Sequence, residues 1–375
     1  MKKIFMCVAL VTSAVFILPQ ISFAAYRFSN FEGHPPTHIH ESALTAPRGL
    51  SPDQIKSAYN LPKTGGTGAI ALIGAYDNAT IEADLKTFST QFNLPQCTSS
   101  SGCFEVHKMS PSVKKNTGWA LETAMDVEWS HAVAPNANIL LIEATTQSGK
   151  NLLAAIDYAC SRKDVTAVSM SWGGPEFADE LSLEKHFNCN HPVTFFASSG
   201  DNGAGVSWPA SSASVVAVGG TTLNFGSNGS VTKETAWSGS GGGVSAYISA
   251  PSSQADYKIS RANGMRAVPD VSYDADPASG VAVYSSSGPQ KVSAKKGGWY
   301  TLGGTSAGAP QWAGIFALGK SATLENLYSD KAKQNSADYF RDITSGTNGD
   351  CGYLCTARKH YDYVTGLGSP LTVKF

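Results

Sequence analysis

An α/β domain built on a parallel sheet with helices on both faces is the fold class this sequence predicts, on three observations. Apolar runs of strand length recur between residues 69 and 197, segments with helical periodicity separate them, and no charged or Pro-rich linker divides the chain. With 375 residues, 42% hydrophobic and 15% charged, the chain can bury one large core. The formal net charge of −1 offers no basic surface for phosphate backbones and no strong acidic field, so nucleic acid is not an expected partner.

The chain starts with Lys2 and Lys3, an apolar run from Ile4 to Pro19, and the small-residue exit Ser22-Phe23-Ala24-Ala25. This reads as an export signal over residues 1–24, cut after Ala24 or Ala25, which implies a secreted or periplasmic protein. The run is short for a membrane span, and no later segment approaches about 20 uninterrupted apolar residues, so no membrane partner is expected after signal removal. Residues 25–48 read as a leader or N-terminal arm, polar and extended, with His34, Pro35, Pro36, His38 and His40 crowded together. Three histidines so close could ligate a metal, but without a helix to align them the expectation is a solvated arm.

The domain, 49–375, opens with Ser51-Pro52-Asp53, a helix start with serine as cap and proline at the first helical position. Ala69–Ala75 is predicted as a buried strand, Ile81–Phe92 as a helix, Ile139–Ile142 as a strand and Asn151–Cys160 as a helix. Val165–Ser171 and Val193–Ala197 follow as two further buried strands with a helix between them. Residues 202–300, rich in Gly and Ser, are expected to form loops and short strands decorating the same domain.

Once Cys7 leaves with the signal, Cys97, Cys103, Cys160, Cys189, Cys351 and Cys355 remain, an even number that suits disulfides in an exported chain. Short separations favour local pairs, Cys97 with Cys103, Cys160 with Cys189 and Cys351 with Cys355. A thiolate metal site is the competing reading, but Cys351 and Cys355 have no second thiol pair at zinc-ribbon spacing.

Three segments carry candidate chemistry. In Gly303-Gly304-Thr305-Ser306-Ala307-Gly308-Ala309-Pro310, glycines permit a tight turn, and the helical stretch from Trp312 aims free N–H groups at whatever forms beside Ser306. In the helix candidate Gly118–His131, Glu122 and Asp126 stand four apart and share a face, whereas Glu128 points elsewhere. Two acids so placed are tolerable if one stays protonated or hydrogen-bonded, as paired catalytic carboxyls do. The third segment, Ser198-Ser199-Gly200-Asp201-Asn202-Gly203, puts Asp201 at the exit of a buried strand, where ligand and catalytic groups gather in parallel sheets.

Together these segments resemble the sedolisin family of serine-carboxyl peptidases, relatives of the subtilisins, from about Gly49 to Pro370. The likeness includes Gly-Thr-Ser-x-x-x-Pro at 304–310, Glu-x-x-x-Asp at 122–126, Ser-Gly-Asp at 199–201, and framework stretches such as Val168–Gly173, Val218–Thr221 and Val268–Ser272. The resemblance implies a subtilisin-like single domain and an endopeptidase acting on proteins or peptides in acid. It makes Ser306 the nucleophile, Glu122 its general base, Asp126 the acid that orients Glu122, and Asp201 the oxyanion donor. A peptide substrate would add as a strand beside Ser171-Trp172-Gly173-Gly174. It also implies one structural calcium ion, held by the side chains of Asp342 and Asp362 and the carbonyls of Ile343, Arg358 and His360, although the family usually has glycine at the last two carbonyl positions. Family members usually carry a large N-terminal prodomain, where this chain has only the arm 25–48.

Two alternatives are distinguishable. A Ser-His-Asp hydrolase would use Asp77 and His131, but neither has the flanking residues of that arrangement. A catalytically dead homologue that binds peptides or glycans is disfavoured by the presence of all four site residues.

Overall fold

The computed structural model describes residues 27–288, 298–330 and 336–375. The export signal, with its cleavage point at Ala24 or Ala25 and with Cys7, lies outside the described residues. Among the described residues no helix is long and apolar enough to cross a membrane.

The centre is an eight-stranded sheet. From one edge the order runs Val231–Ala236, Val215–Phe225, Thr194–Ser198, Val165–Met170, Ala69–Ala75, Asn138–Ala144 and Phe104–Lys108, with Val271–Asp274 pairing beside Val215–Phe225. All pairings are parallel except that of Val231–Ala236. In Ala69–Ala75 the side chains alternate between two buried faces. Ile70 and Leu72 join one core with Leu121, Met125 and Trp312, while Ala71 and Ile73 join the other with Leu152, Ile156 and Trp172. Burial on both faces explains why the strand is apolar throughout instead of alternating with polar residues.

The helices arise from the expected local chemistry. Ser51 accepts the N–H of Gln54 in a reciprocal capping box, with Pro52 at the first turn of Pro52–Ala58, a cap worth about 1 kcal/mol. Ile81–Gln91 and Gly149–Ser161 cover the two faces. The segment between Val165–Met170 and Thr194–Ser198 forms a 3-10 helix, Glu180–Phe187. Thr117–Val133, capped by Asn116, is buried from Trp119 to its end, because it lies between the sheet and the outer helices. Glu128 is interior too but, as its helical position suggested, faces elsewhere than Glu122 and Asp126, accepting the Tyr284 N–H at 3.0 Å.

One expectation is borne out and two are corrected. All three local disulfides form, Cys97–Cys103, Cys160–Cys189 and Cys351–Cys355. The stretch 202–300 is more than decoration, since Val215–Phe225 and Val271–Asp274 belong to the central sheet; glycine and threonine in the longer strand disguise its pattern. The arm is docked on the domain, although His34, His38 and His40 remain exposed as expected. Phe31 is 1% exposed among Trp172, Phe177 and Trp208, and His38–Leu44 pairs antiparallel with Gly298–Gly303. Residues distant in sequence supply that apolar seat, so the local polarity of the arm concealed it.

Candidate active site

Ser306 lies in the 3-10 turn Thr305–Ala307, which runs directly into the buried helix Gly308–Gly319. The turn requires Gly304 at φ +119°, where a Cβ would also sit 2.6 Å from an Asp201 carboxylate oxygen. The turn continues into the helix, the Ala307 N–H donating to the Gly304 carbonyl and the Gly308 N–H to that of Thr305, which places the positive helix end beside the serine.

Thr117–Val133 presents Glu122 and Asp126 to this turn, one helical step apart. Both are buried, at 1% and 3% exposure. Glu122 lies within electrostatic reach of both Ser306 and Asp126, but neither of its oxygens has a hydrogen bond of ordinary geometry. Such looseness is common in catalytic contacts before substrate arrives. Burial, and then the charge of Asp126, hold the Glu122 carboxyl well above the usual carboxylate range. Burial also raises Asp126, against the opposing effect of the Ser171 hydroxyl, whose Oγ is 2.6 Å from Asp126 Oδ1. Two neighbouring raised carboxyls titrate as one unit.

Asp201 follows the carboxyl end of Thr194–Ser198, as Ser171 follows that of Val165–Met170. Its Oδ1 accepts the Thr305 N–H at 2.8 Å and the Thr305 hydroxyl at 2.7 Å, which fixes it beside the nucleophile turn. Burial raises its pKa, while His38 and Thr305 act in the other direction. His38 Nε2 is 3.2 Å from Asp201 Oδ2, and that contact raises the imidazole. A cavity of about 490 Å³ opens alongside, lined by Pro36, Gly173, Ser198, Asp201 and Ser207.

The structure therefore brings Ser306, Glu122, Asp126 and Asp201 into one site. It also recruits Ser171, Thr305 and His38, which the sequence reading gave no role there. Ser171 was visible as part of a framework stretch and of the segment expected to flank a peptide substrate, and its position at a parallel strand's carboxyl end was the available signal for a role in the site. The Ser-His-Asp alternative fails on position. His131 is buried with Nε2 2.7 Å from the Pro95 carbonyl, near the Cys97–Cys103 disulfide, and Asp77 pairs with Lys108 at 2.7 Å.

Asp342 and Asp362 meet at one loop. The Asp342 Oδ2 accepts the His360 N–H at 3.0 Å, and Asp362 accepts those of Arg358, Val364 and Thr365. Asp362 is buried, which pushes its carboxyl up to about 6. The backbone N–H groups of one loop, residues 358–365, thus hold both carboxylates.

The subtilase family model matches residues 115–342. Sedolisin of Pseudomonas sp. (strain 101) is 36% identical over 205 residues, covering 47% of this chain and 33% of that protein. Kumamolisin of Bacillus sp. (strain MN-32) is 30% identical over 375 residues, covering 89% of this chain and 64% of that protein. The chain thus spans less than two thirds of the length of either relative. A solved Pseudomonas sedolisin (serine-carboxyl proteinase), complexed with two molecules of pseudo-iodotyrostatin, has a TM-score of 0.72 at 26% identity and covers 88% of this chain and 96% of that one. Sphericase, with a TM-score of 0.53 at 20% identity, 88% of this chain and 99% of that one, shares the fold.

Proposed function

This chain belongs to the subtilase family, in its sedolisin branch, and from that premise we propose that it is a secreted serine-carboxyl endopeptidase that hydrolyses proteins or peptides in acid. The observation that carries the reading is the carboxyl of Glu122, buried above Asp126 and adjoining Ser306, where a hydrolase needs a base.

In the proposed cycle Glu122 takes the proton of Ser306 as the serine oxygen attacks the carbonyl carbon of the peptide bond. The carbonyl oxygen becomes an oxyanion, met by protonated Asp201 and by the positive end of Gly308–Gly319. Collapse breaks the C–N bond, Glu122 returns its proton to the leaving amine, and an ester on Ser306 remains. Water then attacks that ester with the same carboxyl as base. Asp126, held by Ser171, orients Glu122 and exchanges charge with it as a coupled pair.

Export follows from the signal at residues 1–24 and from six cysteines all paired as disulfides. Asp342 and Asp362, with the carbonyls of Ile343, Arg358 and His360, would hold one calcium ion, which supplies structural cohesion and takes no part in the chemical steps. The function is tested by digestion of an unfolded protein in acid with purified chain, against a folded Ser306→Ala control; equal digestion by both would reject it.

A further inference from the structure

Asp201 sits in a loop, residues 199–205, that has little stiffness of its own. Gly200, Gly203 and Gly205 hold φ values of +112°, +74° and +145°, a path that offers few side chains for packing and is costly to order. Its place is imposed from outside. The Thr305 contacts fix it on the nucleophile side. Residues 239–242 run along its other side and grip it at both ends. The Gly241 N–H donates to the Gly200 carbonyl at 2.7 Å and the Ser199 hydroxyl to the Gly241 carbonyl at 2.8 Å, while Gly242 and Gly205 exchange bonds at 2.8 and 2.9 Å. Between them the Gly203 N–H donates to the Gly239 carbonyl at 2.9 Å.

This second segment is itself glycine except at Ser240. Close approach demands it, since a Cβ at Gly241 would run into the Ser199 carbonyl and one at Gly242 into the Tyr363 carbonyl. Ser240 supplies the anchor. Its buried Oγ accepts the Gly220 N–H of the central strand Val215–Phe225 at 2.8 Å and donates to the Val364 carbonyl at 2.7 Å. Its carbonyl accepts from Asn348 Nδ2 at 2.7 Å, and the carbonyl of Asn348, also buried, accepts the Ala204 N–H at 2.9 Å. Sheet, Ser240, Asn348 and the Asp201 loop therefore form one hydrogen-bonded block.

We propose that Ser240 and Asn348 are positioning residues for Asp201, transmitting the fixed place of Val215–Phe225 to the loop that carries the oxyanion donor. The proposal rests on the reading of Asp201 as that donor. A donor must meet the oxyanion at hydrogen-bond distance, and a displacement on the order of 1 Å can cost about a hundredfold in rate. Loosening the block also lets water reach Asp201. Burial is what raises this carboxyl, so its titration then moves to lower pH, and the loss of activity with rising pH moves with it. His38 from the arm and Glu122 from the acid helix also face Asp201, and substitutions at 240 or 348 leave both in the chain.

The test uses the full chain. The Asp201 carboxyl is followed by carbon-13 NMR titration of aspartate-labelled protein, with Asp201→Asn assigning the signal. Its midpoint should move to lower pH in Ser240→Ala, kcat should fall about tenfold or more with KM within about twofold, and the alkaline limb should follow the midpoint. Ser240→Thr, which keeps the hydroxyl, should recover most of the rate and the native midpoint. Should Ser240→Ala fail to fold, Asn348→Ala carries the same expectations. A side chain that only stabilises the fold would lower the melting temperature and leave the midpoint alone. An unmoved Asp201 midpoint in the folded variants overturns the proposal. A midpoint that moves, in an enzyme whose alkaline limb is untouched by Asp201→Asn, removes the reading of Asp201 as oxyanion donor and leaves the positioning role standing.

Discussion

Ser171 Oγ lies 2.6 Å from Asp126 Oδ1 and 3.2 Å from the carbonyl oxygen of Ser306, so one hydroxyl ties the acid helix to the nucleophile turn. A hydroxyl has a single proton. Ser171 donates its own to Asp126, at the shorter distance, which favours the ionised carboxyl against the burial that raises it. Ser171→Ala should therefore lower kcat by about tenfold or more, leave KM nearly unchanged, and move the acid limb of the pH profile upward, since the hydroxyl otherwise favours ionised Asp126. Steady-state kinetics across pH check this, and an unmoved acid limb counts against the coupling.

Glu122 and Asp126 should behave as one catalytic unit. Glu122→Gln is expected to cost several orders of magnitude in kcat and Asp126→Asn somewhat less, with the double variant scarcely worse than Glu122→Gln. Fully multiplicative losses in a double-mutant cycle would show that the two carboxyls act independently.

Asp201 should set the alkaline limb of the pH profile. A carboxyl donates to an oxyanion only while protonated, and burial raises the Asp201 pKa, so activity should be present below that raised value and fall as pH rises through it. The working range is therefore expected in acid, below that raised value. Other titrating groups facing Asp201 are His38 from the arm and Glu122 from the acid helix. Asp201→Asn keeps a neutral donor and should retain part of the activity while losing much of the alkaline limb, whereas Asp201→Ala should be nearly inactive. An Asp201→Ala enzyme as fast as the native one would refute the role.

Calcium removal should destabilise the fold. An ion bound only by the native state raises stability by mass action, so a chelator is expected to lower the melting temperature, and Asp362→Asn should abolish that response. Unchanged melting in chelator, with no calcium found by elemental analysis, removes the site.

Much of this site was legible in sequence because its parts are local. Glu122 and Asp126 declare themselves by helical spacing, and Ser306 by the glycines before it. The Ala69–Ala75 strand shows itself as an unbroken apolar run. What escaped depends on contacts between distant segments. The seat of Phe31 is assembled from residues 172, 177 and 208, so nothing near residue 31 announces it. Thr305 reads as part of the nucleophile turn, and only the fold shows both its donors aimed at Asp201. Val215–Phe225 carries glycine and threonine where it is buried between neighbouring strands, which blurs its pattern.

The central claim is nucleophilic attack by Ser306 with a carboxyl base. Its most direct measurement is the steady hydrolysis rate of an unfolded protein substrate at about pH 4, compared between the native chain and folded Ser306→Ala after equal incubation at that pH. The account predicts turnover by the native chain and a loss of several orders of magnitude in the variant, with its melting curve preserved. Comparable hydrolysis by the two proteins would contradict it.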